Sequence, residues 1–238
     1  MIYEISLTFT GWLNGITALG VFFFSFLFGL FFALKSRKKE SNLLLYLGLI
    51  YIFAALIYMG DVIDFFTIIA TGSNIDNSTG FIGLMNWVWF PGAVLFAMYV
   101  GAILITPKGK WYVFSPYIVL GIVFEVFLFL DPSGTIEQPN PVPLGSDLIN
   151  DNLNLISISG LVALIFLLSI FIFLGFGFLI KGIQSTGTIR RKFILISFGA
   201  FIYIIGAVMD GLLPPGIYLI FVRSMMVLSA WLFYFGLR

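Results

Sequence analysis

Seven stretches of about 20 or more mostly apolar residues, separated by short polar breaks, occupy nearly all of this 238-residue chain. A helix crossing a hydrocarbon core of about 30 Å needs about 20 such residues, at about 1.5 Å each. The stretches cover residues 11–34, 42–69, 81–106, 110–130, 153–180, 192–213 and 217–237. Alternating segments of about ten residues, the mark of a membrane barrel, are absent, so each stretch reads as a helix. Hydrophobic residues make up 61% of the chain and charged residues only 10%, against roughly 25% charged in an ordinary globular chain. A soluble fold of this size has nowhere to hide that much apolar surface. The expected fold class is all-α: a polytopic membrane protein whose residues 1–238 form one seven-helix bundle. Nucleic-acid binding is excluded.

The breaks between stretches fall into two alternating classes. One is basic: Lys35, Arg37, Lys38 and Lys39; Lys108 and Lys110; Lys181, Arg190, Arg191 and Lys192; and Arg238. The other contains no Lys or Arg: residues 1–10, 70–80, 131–152 and the turn around Pro214, Pro215 and Gly216. By the positive-inside rule the N-terminus is expected outside and the C-terminus in the cytoplasm of a cell membrane. The first ten residues carry Glu4 and no basic group, which argues for a retained first helix rather than a cleaved signal peptide. The segment 131–152 and the residues just after it are Pro-rich and acidic. That composition predicts an extended spacer without its own core, or a lid over an outward-facing pocket. Asn77, Ser78 and Thr79 form a glycosylation sequon on the same side.

Ionisable residues inside spans are costly and raise a functional hypothesis. Five qualify: Asp61, Asp64, Glu125, Asp210 and Arg223. Counted from the basic side, Asp61 lies about 27 Å up, Glu125 about 21 Å and Asp210 about 26 Å; Arg223 lies about 9 Å below the outer edge and Asp64 close to it. All five belong to the outer third. Asp61 and Asp64, three residues apart, share a helix face. Arg223 suits a carboxylate partner, Asp210 or Glu125. Asn86, Trp87 and Trp89 enter the third span at the same level, and with the carboxylates they make a candidate aromatic box for an ammonium ligand. The alternative for the indoles is the interfacial belt, which also claims Trp12, Tyr58, Trp111, Tyr112, Trp231 and Tyr234. Pro91 and Pro116 predict kinks. Gly175, Gly177 and Gly182 offer a surface for close helix approach or self-association.

With no His and no Cys, the chain lacks the ligands for His-held haem, Fe–S clusters and the usual zinc sites, and it lacks Cys or His catalysis. No cofactor, metal or enzyme activity is expected. An Asp61–Asp210 protease dyad lacks its flanking motifs. The seventh span holds Arg223 and no Lys, so a retinal Schiff base is excluded.

The stretch KGIQSTGTIRRKFILISFGAFIYIIGAVMDGLLPPGIYLIFVRSMMVLSAWLFYFGLR resembles the seven-helix sensory modules that precede kinases in archaea and bacteria. The likeness lies in the basic loop at Arg190, Arg191 and Lys192, the Gly-dotted sixth span and a seventh helix ending at the membrane face. It covers about a quarter of the chain and brings no site residues. Such modules continue into an output domain; either the output lies on a partner protein, or the resemblance is one of topology alone. Three function classes follow. The first is a receptor or sensor taking a small, cationic ligand from outside and reporting through its cytoplasmic loops. The second is a small transporter or channel with a 3+1+3 helix repeat, in which YLGLIYIFAALIYMGD and LISFGAFIYIIGAVMD end at corresponding aspartates, Asp61 and Asp210. The third is a scaffold or assembly subunit.

Overall fold

A computed structural model describes residues 7–238 of the chain; Glu4 lies outside the described residues. Helix α1 spans Phe9–Lys39, α2 Asn42–Leu56 and α3 Met59–Thr71. Helices α4 (Phe81–Trp87) and α5 (Phe90–Ile105) follow, then α6 (Lys110–Leu130). A single turn, α7 (Pro132–Thr135), leads into a two-stranded antiparallel pair, β1 (Ile136–Glu137) and β2 (Asn152–Leu153), with Ile136 opposite Leu153. Helix α8 (Ile158–Ile170) continues through a π-helical segment, Phe171–Phe176, into α9 (Gly177–Gln184). Helices α10 (Gly187–Leu212) and α11 (Tyr218–Leu237) complete the chain.

Among the described residues, six helices or continuous helix runs are long and apolar enough to cross a membrane. A seventh span results if α2 and α3, bent by 40° at their junction, are taken as one. The protein is an all-α polytopic membrane protein. Helix α1 packs on α2 and α11, α2 on α5, α5 on the π-helical segment, and α10 on that segment and on α11. These contacts close a ring. Helix α6 lies against α5 and α8 and buries only Gly121, Phe124 and Leu128, so it sits outside the ring. All the Lys and Arg residues except Arg223 lie towards one end of the bundle, the basic end; the segment 131–157 lies at the other, the loop end.

Several boundaries differ from expectation. The stretch 42–69 is not one straight helix. Tyr58, at φ −98° and ψ 9°, leaves the helical register, and the freed Gly60 N–H donates to the Asn86 side-chain oxygen instead of a chain carbonyl. A side chain from a neighbouring segment thus satisfies the break, as buried helix ends require. At Pro91 the expected interruption occurs, because α4 ends at Trp87 and Pro91 sits in the first turn of α5, where its missing N–H has no cost. Pro116 lies inside an unbroken α6. Leu153 belongs to β2, and α8 starts only at Ile158, capped by the Ser157 hydroxyl accepting from the Gly160 N–H at 2.9 Å. Lys35, Arg37, Lys38 and Lys39 extend α1, which ends at Glu40 in the left-handed conformation.

The glycines of the fifth span serve packing within the chain. A Cβ at Gly175 would meet the Phe201 ring at 2.4 Å, and one at Gly182 would meet Ile194 at 3.0 Å. A close helix crossing pairs Gly29 of α1 with Gly48 of α2, where either Cβ would lie under 3.0 Å from the other glycine's carbonyl oxygen.

Candidate functional site

The broken second span sets up the site. Because the helix restarts at Met59, Asp61 falls in the first turn of α3, where free N–H groups favour an anion. The Asn86 amide then bridges two carboxylates. Its Nδ2 donates to Asp61 Oδ1 at 2.8 Å and to Asp151 Oδ2 at 2.9 Å.

Arg223 of α11 is the centre of the other half. It is only 6% exposed. Its Nε donates to Asp210 Oδ1 at 2.9 Å, and its NH1 donates to the Asn14 carbonyl and side-chain oxygens at 2.8 Å and to Thr17 Oγ1 at 3.1 Å. Its NH2 faces Asp61 Oδ2 at 3.9 Å, longer than a direct hydrogen bond. The guanidinium stands 5.4 Å from the Tyr58 ring centre, and the Tyr58 hydroxyl donates to Asp210 Oδ2 at 2.7 Å. A buried ion pair tolerates its desolvation only when the remaining donors and acceptors are met, and on Asp210 both oxygens are.

The segment after β1 covers this cluster. Asp64, fully buried, accepts from the Ile149 N–H at 2.9 Å, the Ile75 N–H at 3.0 Å and Asn74 Nδ2 at 2.8 Å. Asn74 also donates to the Asp147 carbonyl and accepts from the Gly145 N–H. The Ser146 carbonyl accepts from Thr8, and Trp87 Nε1 donates to the Asp151 carbonyl at 3.3 Å. Leu148 packs with Leu7, Phe65 and Ile68 in a small cluster, so the segment, expected as an extended spacer or a lid, is anchored to α3 and lies over the polar cluster. The cover places Asp151 beside Asp61. Loss of hydration, then the neighbouring Asp61 charge, holds the Asp151 carboxyl well above the usual carboxylate range.

Beneath the cover lies a cavity of about 180 Å³, many times the roughly 15 Å³ that one water needs. Its upper wall is polar: Asn14, Asp61, Asn86, Asp151, Asp210 and Arg223. Its lower wall is apolar and built partly of small side chains, with Ala54, Ala97, Ala200, Leu174 and Phe233. Three carboxylates face one guanidinium. Among the described residues no three acidic side chains come close enough to hold a metal ion.

The eight residues singled out from the sequence divide. Asp61, Asn86, Trp87, Asp210 and Arg223 line the cavity. Asp64, Trp89 and Glu125 do not. Asp64 is a structural clamp on the cover, with its lone pairs taken by backbone and Asn74. Trp89 packs edge-on against Phe53, and its Nε1 and Glu125 Oε2 have no hydrogen-bond partner among the described residues. Glu125 is therefore no partner of Arg223; Asp210 is. Tyr58, assigned to the interfacial belt, is buried against Arg223 and Asp210, whereas Trp12, Trp111, Tyr112 and Trp231 are exposed. Asn77 is buried too. Its Nδ2 donates to Gln138 Oε1 and its Oδ1 accepts from the Ile82 N–H, an arrangement that leaves no room for a glycan. Asp151 and Asn14 were missing from the set. Asn14 carried a signal, as one of few amides inside a span; Asp151, in an irregular segment, carried none.

The fold and the cavity define a class, the polytopic helical membrane protein with a covered polar pocket at one end. Compared with protein-family models, curated proteins and solved structures, the chain matches none.

Proposed function

We propose that this is a seven-span, receptor-like or sensory protein of the cell membrane, with its N-terminus outside and its C-terminus in the cytoplasm. The alternation of basic and base-free breaks supports that orientation. In it, the loop end faces out and the cavity takes a small organic cation. The observation that carries this reading is the cavity wall itself, where Asp61, Asp151 and Asp210 outnumber the single Arg223. Carboxylates beside Trp87 and Tyr58 suit an ammonium group through charge and ring faces. Binding would favour one packing of the broken second span over another, and the basic inner loops would report that change to a partner protein. No catalysis is assigned, since Asp61 and Asp210 face one arginine rather than each other's proton.

A transporter is the second reading, and one observation favours it. Helix α6 lies outside the ring, as the middle helix of a 3+1+3 arrangement would. Against it, the interior towards the basic end is filled by Phe32, Met98, Phe178 and Ile196, all buried and apolar, which is a poor path for an ion.

The test is binding of tetramethylammonium, choline and n-butylamine to the purified full chain, followed by calorimetry, alongside a liposome flux assay. Saturable binding of at least one cation, weakened at least tenfold by Asp61→Asn, is expected without flux. Flux of the bound cation would favour the transporter. Absence of saturable binding for all three would reject the pocket's assignment.

A further inference from the structure

A second cavity, of about 440 Å³, lies beside the first. It is a groove between α8 and α10, floored by Phe171 at the start of the π-helical segment. Leu164, Leu168, Ile205 and Met209 at its mouth are exposed, so on a membrane-spanning bundle the groove opens sideways to hydrocarbon rather than to water. Trp87, Leu167, Ile204 and Ala207 line both cavities. The wall between bilayer and polar pocket is therefore one layer of side chains.

The two ways into the pocket differ in what must move. The cover is held by the Ile149 N–H on Asp64, by Asn74, which bonds the Asp147 carbonyl and the Gly145 N–H, and by the Asn86 bridge. In the side wall Trp87 donates to the Asp151 carbonyl, but Leu167 and Ile204 have apolar side chains, so their rotamer changes break no side-chain hydrogen bond. Side chains change rotamer far faster than pinned loops open.

We infer that the ligand is an amphiphilic amine from the bilayer, whose ammonium head reaches the carboxylates while its hydrocarbon chain lies in the α8–α10 groove. This rests on the cationic-ligand reading above and adds the chain and the route. The chemistry matches on both sides: a net acidic wall at the head and a purely apolar channel for the tail. The length of groove beyond the wall has no use for a short cation.

The chain has no Cys, which makes a direct test clean. The full chain in nanodiscs carries Leu168→Cys with Val208→Cys, one on each side of the groove. A bis-thiosulfonate linker closes the groove, and a reductant reopens it in the same sample, so misfolding cannot mimic closure. The probe is dodecylamine brominated near the chain end, read by quenching of tryptophan fluorescence in a variant keeping only Trp87. The five-tryptophan chain serves as a second readout should that variant fold poorly. Expected are saturable quenching, affinity at least tenfold above n-butylamine, and association at least tenfold slower when the groove is linked and restored on reduction. Equal rates in linked and reduced protein, or equal affinity for butylamine, would overturn the inference while leaving the cationic pocket standing. Saturation by brominated dodecane as strong as by the amine would show a hydrocarbon site alone and overturn it as well. No saturation by any amine, dodecylamine or butylamine, would overturn both.

Discussion

At the loop end of the bundle, Arg223, Asp61, Asp210, Asn86 and Asp151 are joined by three hydrogen bonds and one longer ion pair across five separate segments of chain. At the basic end, Phe32, Met98, Phe178 and Phe233 fill the interior, and buried hydroxyls are met by backbone carbonyls, as Ser36 donates to that of Ala33 and Ser197 to that of Gly175. The halves rest on different forces. In hydrocarbon, apolar side chains gain no hydrophobic drive from touching each other, since lipid tails are as apolar as they are. The basic half is held by close packing, such as the Gly29–Gly48 crossing. The loop half is held by directed polar contacts, each costly to leave unmet. The same molecule therefore has a tolerant half and an intolerant one, and the candidate site sits in the intolerant half.

The sharpest way to break this contrast is Arg223→Leu. It leaves Asp210 and Asn14 without their shared donor and Asp61 without its ion-pair partner, and the expected loss is about 3–5 kcal/mol, as for other single deletions from buried pairs. A detergent melting curve unchanged by Arg223→Leu would show that the loop half is not held by its charges. Next is Asp64→Ala, which removes the acceptor for Ile149, Ile75 and Asn74. About 3 kcal/mol is expected from three such bonds, with faster proteolysis within 139–144. If cleavage is no faster than in the unaltered chain, the cover is held elsewhere.

The control belongs to the basic half. Phe32 is wholly buried, and in a water-soluble core Phe→Ala costs about 3–5 kcal/mol. Here the side chain meets hydrocarbon whether folded or not, so only lost packing counts and about 2 kcal/mol is expected for Phe32→Ala. A loss matching that of Arg223→Leu in the same assay would erase the difference between the halves.

Much of this layout is legible residue by residue. Depth counted along single spans brings Asp61, Asp210 and Arg223 to one level, and a reaching guanidinium does the rest. Helix phase is less legible. Trp89 and Glu125 share that level but point elsewhere, because the interruption before Pro91 resets the third span and α6 stands outside the ring. The break at Tyr58 has no local signal beyond Gly60, since the group that satisfies it, Asn86, comes from another helix. The cover is least legible. Its Pro-rich composition reads as solvated chain, and its burial depends on contacts between Asp64 and Ile149, or Asn86 and Asp151, that lie 85 and 65 residues apart.

A test by pH concerns where cover and bundle meet. The Asp151 carboxyl is held well above the usual carboxylate range, by lost hydration first and by Asp61 second. A raised native pKa means that the folded protein keeps its proton after the unfolded chain, near pH 4, has released it. Asp151 therefore takes nothing from stability below about pH 4, where it is protonated in both states. From there up to its raised native value, stability falls as pH rises, with a slope of up to about 1.4 kcal/mol per pH unit. In Asp151→Asn that part of the slope is absent, while the Asn86 bridge loses only its charge. Detergent melts of both proteins from pH 4 to pH 8 measure the difference. Parallel curves would mean that Asp151 is hydrated and that the cover does not seal the polar half from water; a flatter variant curve ties the seal to the Asp61–Asn86–Asp151 bridge.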